Sequence, residues 1–97
     1  MLVTVDIGNT NITIGIFDKE DLIGTYRLTT KVRRTSDEYG FMLKNFLDRS
    51  NVHEKQIDSV IVSSVVPKVM HSFTNGIKKF VGIEPVSYTH LTLPTNR

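Results

Sequence analysis

An aspartate, a glycine and three small polar residues stand together near the start of the chain, in Val5-Asp6-Ile7-Gly8-Asn9-Thr10-Asn11-Ile12-Thr13. Two kinds of chemistry fit that spacing. Gly8 and Asn9 tolerate positive φ, so the segment reads as a tight hairpin turn in which Asp6 or Asn11 accepts a local hydrogen bond. The same turn also offers successive N–H groups at Gly8, Asn9, Thr10 and Asn11 and side-chain donors from Asn9, Thr10 and Asn11. Such a concave set of donors can receive a phosphate, and Gly8 has no side chain to block its approach. Asp6 would repel a phosphate directly, but a hydrated divalent cation, Mg²⁺, placed between them removes the conflict. Asp6 is also expected on a strand covered on both faces, where a carboxylate is costly unless something offsets its desolvation. No Walker loop is involved: the chain has no G-x-x-x-x-G-K-S/T run, and no helix follows the turn directly.

The elements that must hold this turn are readable from periodicity. Leu2 to Ile7 is nearly all apolar and predicts a central strand. Ile12, Ile14 and Ile16 alternate with Thr13, Gly15 and Phe17, and after a turn at Asp18-Lys19-Glu20-Asp21 a third run extends from Leu22 to Thr29. Thr35-Ser36-Asp37-Glu38 has the form of a capping box and opens a helix. Tyr39, Met42, Leu43, Phe46 and Leu47 make its apolar stripe. Ile57 to Val66 returns to β-branched residues, a second deeply buried strand. Pro67 suits the first turn of another helix, whose stripe is Val69, Phe73, Ile77 and Phe80. Gly82 stops that helix, and Ile83 to Val86 predicts a short fifth strand. The order β-β-β-α-β-α-β gives an α/β fold, a mixed five-stranded sheet with helices packed on it.

Other polar residues have plainer explanations. Asp37 and Glu38 suit a helix N-terminus and read as capping groups. His53, His71 and His90 lack metal-ligand spacing, so no metal site is drawn from them. Ser63 and Ser64 end a buried strand without a nucleophile elbow and read as packing at a cleft edge. Lys31, Arg33 and Arg34 form a short basic cluster that reads as solvated, with the lining of a cleft for an anion as the other use.

At 97 residues the chain suits one compact domain, burying roughly 60–70% of its unfolded surface. Lys plus Arg number 12 against 10 for Asp plus Glu, and Arg97 carries one of those excess charges. A polyanionic partner such as nucleic acid is therefore not implied. The absence of cysteine removes disulfides and thiolate metal sites and suits a reducing, cytoplasmic setting. No apolar run approaches the roughly 18 residues that span a bilayer, so no membrane partner is expected.

Asp-Ile-Gly-Asn-Thr-Asn at residues 6–11 resembles the first phosphate motif of the actin-like ATPase superfamily, which has a ribonuclease H-like fold and includes the sugar kinases. Together with Thr-Ser-Asp-Glu-Tyr-Gly at 35–40 and Ile-Val-Ser-Ser-Val-Val-Pro-Lys-Val at 61–69, it resembles the type III pantothenate kinases over residues 1–86. That resemblance implies transfer of the γ-phosphate of ATP to pantothenate, the first step towards coenzyme A. It implies an ATP-phosphate site at Asp6, Ile7, Gly8, Asn9, Thr10, Asn11, Ile12 and Thr13, with Asp6 orienting Mg²⁺ through water. It further implies a monovalent cation, K⁺ or NH₄⁺, and a homodimer.

The resemblance also implies a Gly-x-Asp-Arg motif for pantothenate and a second acidic phosphate motif, and neither is in this sequence. No catalytic residue is therefore expected within it. Residues 1–86 read as an ATP-phosphate-binding domain that is inactive alone, with an interdomain face left open to aggregation. Residues 87–97, Ser-Tyr-Thr-His-Leu-Thr-Leu-Pro-Thr-Asn-Arg, carry neither helical nor strand periodicity. They read as a non-native extension or a frayed tail. A nucleotide-binding regulator of the same family is the alternative function, since binding ATP does not require phosphorylating anything.

Overall fold

The computed structural model describes residues 1–89. Its five strands are β1 (Leu2–Ile7), β2 (Asn11–Asp18), β3 (Asp21–Thr29), β4 (Ser59–Ser64) and β5 (Val86–Thr89). They form one sheet in the order β3-β2-β1-β4-β5. β1 lies at the centre, antiparallel to β2 and parallel to β4, while β4 and β5 are parallel. The helices α1 (Ser36–Arg49) and α2 (Pro67–Phe80) make the crossovers, and a single 3₁₀ turn, Glu54–Gln56, precedes β4.

Both helices contribute to one core. Val3, Val5 and Ile7 of β1, Ile12, Ile14 and Ile16 of β2, and Val60 and Val62 of β4 cluster there with Tyr39, Leu43 and Leu47 of α1 and Phe73 and Ile77 of α2. Period-two alternation puts these strand residues on one face of the sheet. Tyr39 and Phe73 meet at a centroid distance of 4.8 Å, and Phe46 stacks on Tyr26 at 4.4 Å, fastening α1 to β3.

The other face departs from expectation. Leu2 and Thr4 are half-buried and Asp6 is exposed, so among the described residues β1 is covered on one side only. Leu22 and Val86, both about half exposed, flank this open surface. The expectation of a doubly covered strand fails because the alternate positions Thr4 and Asp6 are polar, and Leu2 at the strand start masks that alternation in the sequence.

The capping box forms in full: Thr35 Oγ1 accepts from the Glu38 amide at 3.1 Å, and Glu38 Oε1 accepts from the Thr35 amide at 2.7 Å. Thr35→Ala is expected to cost about 1 kcal/mol, read as a fall in melting temperature of roughly 4–8 °C. At the far end of α2, Gly82 takes φ +80° and returns its N–H to the Ile77 carbonyl at 3.1 Å, which ends the helix where the sequence placed the stop. The helices themselves cross at Gly40 and Gly76. A Cβ on Gly76 would meet the Ser36 carbonyl oxygen and lie 2.8 Å from the Gly40 nitrogen.

β5 begins three residues later than the pattern suggested, at Val86 rather than Ile83. Pro85 supplies the reason: it has no N–H for the ladder, so pairing starts after it, with Val86 opposite Ile61. Ser87, Tyr88 and Thr89, assigned by composition to the tail, therefore belong to the sheet, and the rest of that tail lies outside the described residues.

Candidate functional site: the first turn and the row across the sheet

The turn after β1 is positioned by the central strand and closed from three directions. Gly8 N–H donates to the Asn11 carbonyl at 2.9 Å, and Thr30, at the end of β3, clamps the loop from outside. Thr30 Oγ1 donates to the Gly8 carbonyl at 2.8 Å, and its N–H donates to the Thr10 carbonyl at 2.9 Å. Thr30 is buried and was not singled out from sequence, because nothing in a Thr-Thr pair at a strand end marks one hydroxyl as a clamp.

Two expectations about the turn change. Gly8 and Asn9 do not use positive φ, which among the described residues occurs only at Lys19, Asn51 and Gly82. A Cβ at position 8 would lie 3.3 Å from the Asn11 carbonyl oxygen, a tight contact that the turn must relax by a few tenths of an ångström to accept. The Gly8 amide is also already engaged, so it is no free donor to an anion. Among the described residues the amides of Asn9 and Thr10 make no backbone bond, and both residues are exposed, as is Asn11. The donor set of the turn is thus narrower than the sequence suggested and opens to solvent.

Asp6 stands on the open face. Its Oδ1 accepts from Ser63 Oγ at 3.2 Å. Register places Asp6 opposite Thr13 on one side and Ser63 on the other. Thr13 in turn faces Arg27, and Ser63 faces Tyr88, so one polar row crosses all five strands. The desolvation argument for Asp6 therefore falls away, because its carboxylate is exposed rather than buried. Ile7 and Ile12, in contrast, are fully buried and anchor the two ends of the turn by packing. Of the eight residues expected at the site, these two hold the backbone, and Asp6, Asn9, Thr10, Asn11 and Thr13 present polar groups.

The exposed Asp6 carboxylate, beside hydroxyls and the Asn9 and Thr10 amides, has the chemistry to hold a hydrated Mg²⁺, which keeps its waters and takes few protein ligands. Among the described residues no group of three or more acidic, histidine or cysteine side chains converges as a self-sufficient metal cage. His53 instead caps the 3₁₀ turn, its Nδ1 accepting from the Lys55 amide at 3.1 Å. Ser64 is buried, its Oγ accepting from the Val66 amide at 2.8 Å, so the Ser63-Ser64 pair divides between Asp6 and the start of α2.

Comparison with known proteins bears on this arrangement. In solved structures the fold is similar to a ROK hexokinase from Thermus thermophilus, with TM-score 0.66, 12% identity, and coverage of 91% of this chain and 34% of that one. An ethanolamine utilization protein from Carboxydothermus hydrogenoformans matches with TM-score 0.61 at 12% identity, covering 89% and 43%. The fold is thus an actin-like one, shared with these two structures. In sequence, the chain is 56% identical over 86 residues to a type III pantothenate kinase of Bifidobacterium longum strain DJO10A, covering 89% of this chain and 34% of that protein. It is 46% identical to the one from Agathobacter rectalis, covering 89% and 33%. The chain spans about a third of the length of the curated relatives it matches. The family model for type III pantothenate kinase matches residues 2–96, and on that match the chain belongs to the type III pantothenate kinase family.

Proposed function

We propose that this chain supplies the ATP-phosphate-binding part of a pantothenate kinase, which phosphorylates pantothenate towards coenzyme A in the cytoplasm. The observation that carries the reading is the solvent-facing Asp6 beside the open Asn9-Thr10-Asn11 turn, at the central strand of an actin-like sheet. Phosphoryl transfer rests on positioning and on neutralising phosphate charge, and little else is asked of the protein. In this reading the amides of Asn9 and Thr10 and the side chains of Asn9, Thr10 and Asn11 donate to phosphate oxygens. Asp6, steadied by Ser63, accepts from water on Mg²⁺, and the metal supplies charge neutralisation when bound. Ile7 and Ile12, packed in the core, keep the turn from giving way, and Thr30 fixes its carbonyls away from the anion. The monovalent cation and the homodimer belong to the same reading, with no residue of this chain assigned to them.

The chain holds no residue assigned to pantothenate, so the expected result for the 97-residue polypeptide is binding without turnover. Calorimetric titration with ATP should give an affinity that falls when Mg²⁺ is omitted, and a coupled assay with pantothenate should release no ADP. Absence of Mg·ATP binding at millimolar nucleotide would defeat the phosphate-site assignment. ADP release that depends on both pantothenate and Asp6 would show that the chain performs the whole reaction.

A further inference from the structure

A second concavity lies between the end of β3 and the start of α2, with a volume of about 490 Å³. That falls within the roughly 300–1,000 Å³ common for small-molecule sites. Four cationic side chains line it: Lys31, Arg33, Arg34 and Lys68. Glu38 is the one acid among the lining residues, and its carboxylate is already used in the cap of α1. Among the described residues none of these four cations makes an ion pair, whereas Lys44, Lys78 and Lys79 each do. Positive charge is therefore in excess in this hollow, four cations against one carboxylate.

One of the four is held in place. Arg34 is half-buried, donates from Nη1 to the Thr29 carbonyl at 2.8 Å, and lies 5.9 Å from the centroid of the buried Tyr39 ring. A guanidinium fixed by a carbonyl and an aromatic face loses little further freedom on meeting an oxyanion, and its remaining donors can engage one in bidentate fashion. Tyr39, Val66 and Val69 provide apolar lining below the charges. α2 also enters the hollow without a side-chain cap and without an acid in its first turn, which adds to the positive potential. The cavity contains none of the residues of the phosphate turn.

We propose that this hollow binds a small organic anion, a molecule with a carboxylate or phosphate head received by Arg34 and its neighbouring cations and an apolar body laid against Tyr39, Val66 and Val69. Thr30 lines the hollow and also clamps Gly8 and Thr10, so the two sites share one residue of framework while differing in every charged group.

The test is a titration of the ¹⁵N-labelled chain at low salt with butyl phosphate, butyrate and 1-butanol, followed by amide chemical shifts. Saturable shifts confined to residues 30–35 and 66–72 are expected for one or both anions and not for the alcohol. Affinity should fall at least tenfold in Arg34→Gln and fall again as salt is raised. Lys68→Gln, at an exposed position, should also weaken binding, and it serves in place of Arg34→Gln if that variant loses its folded spectrum. Asp6→Asn should leave the titration unchanged, which separates this site from the nucleotide site. Equal response to 1-butanol, shifts spread over all surface lysines, no saturable shift with either anion, or an affinity indifferent to the cation substitutions would overturn the proposal.

Discussion

Asp6→Asn is expected to weaken Mg·ATP binding by about 10- to 100-fold, the range usual for loss of a group that acts on a metal through its water shell. The substitution keeps the size and shape of the side chain and removes only its charge. Because Asp6 is exposed, removing its charge should cost the fold little. A melting temperature within a degree or two of the parent, combined with the loss of affinity, would assign the effect to the site. A comparable loss of affinity for ATP without Mg²⁺ would contradict a metal-linked role, since removing a negative charge near bare phosphates should then improve binding.

Gly76→Val is expected to cost about 3 kcal/mol or more and to lower the melting temperature by roughly 10–20 °C. In an open helix, replacing glycine with a larger residue restricts the unfolded chain and gains up to about 1 kcal/mol, less for a β-branched residue. Here the added carbon meets backbone, the Ser36 carbonyl and the Gly40 nitrogen, and neither can swing aside as a side-chain tip can. Gly40 meets the same contact from the other helix, where a Cβ would lie 2.7 Å from the Gly76 carbonyl oxygen. The helices must separate, and the loss reaches Phe73 and Ile77, whose packing depends on that approach. Thermal unfolding followed by circular dichroism reads the effect. An unchanged transition would mean that the crossing is looser than the described geometry.

Local signals were legible where one residue type determines one local geometry. Thr35 and Glu38 announced the start of α1 because their reciprocal bonds need only a spacing of three residues. Pro67 and Gly82 bracketed α2 for equally local reasons. What the sequence could not show were facts about partners distant along the chain. Ser63 reaches Asp6 only through the parallel register of β1 and β4, and Thr30 reaches Gly8 only because β3 folds back beside β2. The engagement of the Gly8 amide is a matter of how the turn closes, which residue types alone leave open. The start of β5 is set by Pro85, which forbids a ladder bond, so pairing begins at Val86 and not at Ile83 where the β-branched pattern starts. At the candidate site the residue types were therefore readable, while their exposure and the identity of the clamping residue were not.

The central place of β1 has a consequence for the chain as it is made. Its antiparallel partner follows within a few residues, but the parallel partner is distant: Asp6 and Ser63 are separated by 57 positions. At roughly 5–20 residues per second, a ribosome takes about 3–11 s to deliver the second of these after the first. In that interval β1, β2 and β3 can pair as a meander, with the isoleucines of β2 uncovered until α1 and then α2 emerge. Until β4 docks, the carboxylate at the centre of the nascent meander is without its serine neighbour.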